Sequence, residues 1–192
     1  IADPAQPGKE PQSVRYPAAG TANADVALFV VALGGERREV HWDRSAFEYL
    51  LDVSWSDSGA YLVVQSRDQR RVQFLEVDPS SGETNLLSER QDPYWVEVVP
   101  GSPTLIDGEP LWVAESGGSR ALLLGDEAVS PADHWVRGVV SAQSDDIVWT
   151  ASVTPEEVHV YRRRSGFVEQ MTTEVGVHSA VGGGEHGVFV IS

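Results

Sequence analysis

The stretch LLDVSWSDSGAYLVVQSRDQRRVQFLEVDPSSGETNLLSER, residues 50–90, divides into four short apolar segments separated by turn chemistry. LLDVSW, AYLVVQS, VQFLEVD and TNLLSER are rich in β-branched, aromatic and leucine side chains. Between them lie Ser56-Asp57-Ser58-Gly59, the charged RDQRR and Pro79-Ser80-Ser81-Gly82, whose residues tolerate turn backbone angles. Hairpin-linked strands of this length form one twisted antiparallel sheet. The nearly unbroken apolar run of AYLVVQ calls for burial on both faces of that sheet, not one.

The unit recurs. W-V-E-V-V begins at Trp95 and W-V-R-G-V-V at Trp135, 40 residues on. Each is read as the first strand of a unit, followed by a turn and a second strand that ends in serine. Second strands of this kind end at Ser66, Ser116, Ser152 and Ser192, with spacings of 50, 36 and 40 residues. A period near the blade length of β-propellers, roughly 40 to 50 residues, predicts an all-β chain. The expected fold is about four four-stranded antiparallel blades of a larger propeller. No stretch carries a helical period over three turns. DRSAFEYLLD, residues 43–52, comes closest, with Phe47, Leu50 and Leu51 at helical spacing, but it leads directly into a strand.

The 29 acidic residues outnumber the 14 basic ones and leave a formal net charge of −15, which repels a phosphate backbone and argues against nucleic acid as a partner. The cluster Arg162-Arg163-Arg164 reads as a solvated hairpin edge. No apolar run approaches the roughly 18 to 20 residues of a membrane span, so no membrane partner is expected for this segment. Zero cysteines exclude disulfides and thiolate metal sites and suit a reducing cytoplasm, the compartment favoured here.

Several motifs imitate functional sites. Gly182 to Gly187 satisfies GxGxxG, but a strand follows where the dinucleotide fingerprint requires a helix N-terminus, so a hairpin loop is expected. His178 and Ser179 are adjacent in an extended segment and therefore face opposite ways, and the chain contains no GxSxG elbow. His41, His134, His159, His178 and His186 show neither HxH nor HExxH spacing, and neither a metal nor another cofactor is implied. Glu156-Glu157 could grip an amine, yet their place after Thr154-Pro155 reads as an exposed acidic tip.

Residues 1–14 contain Pro4, Pro7 and Pro11 without strand or helix periodicity and read as a linker or loop, leaving 15–192 as the propeller portion. R-Y-P-A-A-G-T-A-N, Arg15 to Asn23, followed by an apolar strand, resembles the Y-P-x-A-G-x-x-N segment in the propeller domain of dipeptidyl peptidase IV and its relatives. The likeness continues through D-V-S-W (52–55), D-x-S-S-G-E (78–83), E-R-Q (89–91), Trp95-Val96 and V-H-V-Y-R (158–162).

The resemblance implies a piece of a longer serine peptidase that begins partway round its propeller. A C-terminal α/β-hydrolase domain outside this chain would carry the Ser-Asp-His triad and remove N-terminal dipeptides after proline or alanine. The chain itself would then hold no catalytic residue. The family's paired glutamates for the substrate amino terminus precede Y-P-x-A-G, so Glu156-Glu157 do not inherit that role. The stretch after Trp95 reaches extended substrate subsites in relatives through an aromatic residue and an arginine. Here it reads W-V-E-V-V-P and lacks both, which leaves Trp95 and Glu97 as the candidate substrate contacts. The alternative reading, which the repeat favours, makes Trp95 a blade-packing residue. The competing function is a non-enzymatic propeller serving as a protein interaction platform. Uncovered blade edges would in either case promote self-association.

Overall fold

The computed structural model describes residues 4–11, 20–56, 59–182 and 188–191, the last four as backbone. Among these residues there are sixteen strands and no helix. β1 (Leu28–Val31) and β2 (Arg37–Val40) pair as a hairpin. β3 (Tyr49–Ser56), β4 (Gly59–Gln65), β5 (Arg71–Val77) and β6 (Thr84–Gln91) form the antiparallel meander expected from residues 50–90. A second meander comprises β7 (Thr104–Ile106), β8 (Glu109–Ser116), β9 (Ser119–Leu124) and the short β10 (Glu127–Ala128). The third comprises β11 (Trp135–Gln143), β12 (Asp146–Ser152), β13 (His159–Arg164) and β14 (Phe167–Gln170). β15 (Ser179–Gly182) and β16 (Val188–Ile191) make a final hairpin. The described residues thus form three complete four-stranded blades flanked by two-stranded pieces.

The cores lie between blades. Along β4, Ala60, Leu62 and Val64 face Val40 and Phe47 from the β1–β2 side, whereas Tyr61 and Val63 join Val72, Phe74 and Trp112 on the side of the second meander. This is the period-2 consequence of strand geometry, and it accounts for a strand buried at every position from Ala60 to Gln65. The alternation repeats on β8, where Trp112 joins that second cluster while Leu111 and Val113 enter the next one. The third cluster also takes Val136, Ile147, Trp149, Ala151 and Tyr161 from β11, β12 and β13.

One device joins successive blades. The entry to each new blade is tied by its backbone to the start of the third strand of the blade before it. Val96 donates its N–H to the Gln69 carbonyl at 2.9 Å, Trp135 forms a parallel bridge with Arg120, and Val177 forms one with Val158.

Three local details bear on the sequence reading, the first in agreement with it and the other two as departures. DRSAFEYLLD forms a single turn over 44–46, capped by the Asp43 carboxylate accepting from Ser45 and Ala46, and Phe47 is delivered to the core. W-V-E-V-V is not a ladder strand, although Trp95 and Glu97 point outward while Val96 and Val98 point inward. Pro100 and Pro103 cannot donate to a ladder, and the segment instead docks on β11, with the Val139 N–H donating to the Pro100 carbonyl at 2.9 Å. Arg162 does not simply face solvent: it pairs with Asp146 at 2.7 Å, which holds that carboxyl below its ordinary range. The turn residues 57–58 and 183–187, and residues 12–19, which include the first four of the Y-P-x-A-G element, lie outside the described residues, but β15 and β16 pair as a hairpin should, with Gly182 opposite Val188.

Candidate functional site at the blade junctions

The two candidate residues sit on the crossing between the first and second complete blades. Asp92 opens this crossing with a local turn in which its carboxylate accepts the N–H groups of Tyr94 and Trp95 at 2.7 and 2.9 Å, and these bonds hold its pKa below the usual carboxylate range. The turn lifts both aromatic rings into solvent, Trp95 with 63% of its surface exposed. The blade-packing alternative for Trp95 is therefore not what the structure shows. Gln65 secures the next residue by donating its side-chain amide to the Val96 carbonyl at 3.0 Å.

Glu97 meets a residue that the linear pattern did not single out. Its carboxylate accepts a hydrogen bond from Arg120, whose side chain is almost wholly buried and lies over the Trp135 ring, 5.0 Å from the centroid. Arg120 Nε has no hydrogen-bond partner among the described residues. The pair is charge-assisted on one side and aromatic on the other, an arrangement that suits a planar guanidinium. Trp95, Glu97 and Arg120, with Arg90, Trp112 and Glu115, line a pocket of about 170 Å³. Two consecutive blades and the crossing between them thus line this pocket, and the parallel bridge at Trp135 sets the third blade's indole beside Arg120. A lone arginine opening the apolar segment SRALLL was the available sequence signal.

The histidines are brought together by the same junction geometry. His159 and His178 stack with ring centroids 5.2 Å apart, and His159 also contacts Glu157 at 2.9 Å and Thr172 at 3.1 Å. Glu157 is consequently a partner of a buried histidine and not a purely solvated tip, whereas Glu156 is exposed. Ser179 is exposed and His178 buried, in keeping with their opposite facing. His186 lies outside the described residues, and no group of three or more potential metal ligands occurs among those described.

His134 supports the next core, where its Nδ1 accepts the indole N–H of Trp149 at 3.3 Å and its ring lies 4.1 Å from that of Tyr161. Burial lowers its pKa, and a proton on Nδ1 would face another donor. Because the folded pKa lies below the unfolded value of about 6.5, the unfolded chain binds more protons below that pH. Stability from this group is complete above about pH 6.5 and is lost as pH falls through the folded pKa. Denaturant midpoints from pH 7.5 to 5 should fall with acidity in the native chain, and His134→Gln should flatten that dependence.

The blade order and inter-blade cores define a β-propeller segment. The sequence model described as the dipeptidyl peptidase IV (DPP IV) N-terminal region matches residues 1–181, and the chain belongs to that family. Its fold is similar to that of Porphyromonas gingivalis dipeptidyl peptidase 4, with a TM-score of 0.68 and 16% identity over 87% of this chain and 26% of that one. It is also similar to a putative dipeptidyl aminopeptidase IV from Bacteroides ovatus, with a TM-score of 0.64 and 17% identity over 88% of this chain and 29% of that one. The chain therefore spans less than a third of the length of either structure.

Proposed function

We propose that the chain is the substrate-gating propeller segment of a serine dipeptidyl aminopeptidase that removes N-terminal dipeptides after proline or alanine. The observation that carries this reading is family membership over residues 1–181. The short span relative to both structural neighbours supports a longer parent whose C-terminal α/β-hydrolase domain performs the chemistry, with residues 1–14 as a linker and no catalytic residue in this chain. A propeller in that position restricts entry to extended peptide ends and shields the reaction from water. The blade-junction surface supports substrate contact by Trp95 and Glu97. Arg120 and Trp135 supply in space the arginine and aromatic ring that the stretch after Trp95 lacks in sequence. The exposed side chains Leu51, Val53 and Trp55 on β3 are the surface through which the isolated segment would self-associate.

The experiment compares this chain with the longer gene product on glycyl-prolyl and alanyl-prolyl chromogenic substrates. Only the longer product should release dye. In that product Trp95→Ala should lower kcat/KM for peptides longer than a tripeptide by about tenfold, leave dipeptide chromogens unaffected, and shift stability by less than about 1 kcal/mol because the ring is exposed. A longer product inactive on every such substrate would replace this reading with the interaction-platform one.

A further inference from the structure

A second, larger cleft lies across Trp135 from the first. It has a volume of about 450 Å³ and is bordered by the Gly117-Gly118 turn, Asp133, Trp135, Arg137, Ser152 and Thr154. That volume falls within the range of roughly 300 to 1,000 Å³ typical of small-ligand sites. Its position follows from local chemistry. Gly117 and Gly118 have φ of 62° and 83°, the two positive values a tight two-residue hairpin needs, and a Cβ at either would meet nothing within 4 Å. The β8–β9 turn is therefore low and open, and the floor beside it is the start of β11.

Arg137 gives this cleft its chemistry. It projects from β11 at an exposed position, and its Nε donates to the Ser152 hydroxyl at 3.0 Å. Ser152 is itself buried, so the guanidinium is fixed at its inner edge. No carboxylate pairs with Arg137 among the described residues, Asp133 included, although Asp133 borders the same space. Arg120, Arg71 and Arg162, by contrast, are each ion-paired with a glutamate or aspartate. In a chain with 29 acidic residues this cation faces a cleft lined by an aromatic ring and by the hydroxyl-bearing residues Ser119, Ser152 and Thr154.

A guanidinium held through Nε still presents its two terminal nitrogens, the pair that matches a carboxylate in bidentate fashion. The Trp135 ring beside it offers a face for an adjoining apolar group. We infer that this cleft binds a peptide carboxylate, either a C-terminus or an aspartate or glutamate side chain, with Arg137 as the anion contact and Trp135 as the platform for the neighbouring residue. The cleft shares no lining residue with the Trp95–Glu97 pocket and meets that surface only through the Trp135 ring, on which Arg120 lies, and the inference holds whether or not the chain serves a peptidase.

Three probes test it by calorimetric titration of the 192-residue chain: acetyl-Ala-Ala-Tyr with a free carboxylate, the same peptide as its amide, and acetyl-Ala-Asp-Tyr amide. The free acid or the aspartyl amide should bind about tenfold or more tightly than the plain amide. Binding by the free acid alone assigns the C-terminus, and binding by the aspartyl amide assigns side-chain carboxylates. Arg137→Gln should erase the preference while leaving the far-UV circular dichroism unchanged, and Arg137→Lys should retain part of it. Equal affinity for all three probes, no binding of any, or a preference that survives Arg137→Gln would each overturn the inference.

Discussion

Trp149→Ala should destabilise the chain by about 3–5 kcal/mol, the largest effect expected of any single truncation here. Trp149 is fully buried and sits where β11, β12 and β13 meet, stacked on Tyr161 with ring centroids 6.0 Å apart and an angle of 19° between planes. Removing it would leave a cavity lined by two blades at once, and neither can close the gap without disturbing its own ladder. It would also strip His134 Nδ1 of its donor. Trp149→Phe keeps most of the ring volume and loses the N–H, so it should cost about 1 kcal/mol for the hydrogen bond plus a smaller packing term. Urea unfolding followed by both fluorescence and circular dichroism would give the two values. A cost for alanine below about 1.5 kcal/mol would mean that the blade interface tolerates a void, contrary to the packing described.

The second large effect should come from a residue with no side chain. Gly101 has φ of 73°, and a Cβ there would lie 2.1 Å from the backbone carbonyl oxygen of Val139. Gly101→Ala should therefore cost roughly 2–4 kcal/mol, combining left-handed backbone strain with overpacking against a strand that cannot retreat. Gly108 is the control: its φ is 85°, but a Cβ there would meet nothing within 4 Å, so Gly108→Ala should show only the backbone part, about 1–2 kcal/mol. The difference between the two melting curves measures the close approach alone. Gly101 also belongs to the segment that carries Trp95 and Glu97 onto β11, so its substitution should disturb the Glu97–Arg120 pair, whereas Gly108→Ala should not.

Much of the architecture was legible because its signals are local. The turns after Ser66 and Asp78 carry their own chemistry. Asp78 accepts hydrogen bonds from Ser80 and Ser81, which bring its pKa down to about 2. The two-faced burial of AYLVVQ was likewise written into a run with no polar alternation until its last residue. W-V-E-V-V was misread as a ladder strand because its hydrophobicity alternates like one, and only the docking of Pro100 on β11 removes it from the ladder. The candidate site was half legible. Trp95 and Glu97 could be named from the family resemblance, but Arg120 pairs with Glu97 across the blade junction and is joined to Trp135 by a parallel bridge between blades. Such a pairing leaves no mark on either segment read alone. The same holds for the His159–His178 stack, whose members are brought together by the bridge of Val158 with Val177.

The alternate facing of β4 has a consequence for how energy is shared. Leu62 and Val63 are covalent neighbours, yet one belongs to the cluster with Val40 and the other to the cluster with Trp112. Substitutions at these adjacent positions act on different interfaces and should combine almost independently, while Val63 and Trp112, remote along the chain, should show strong thermodynamic coupling. Distance along the sequence is then a poor guide to mutual dependence in this protein. An inner strand such as β4 or β8 serves as a partition between two neighbourhoods, so a perturbation on one side of a blade can be absorbed before it reaches the other.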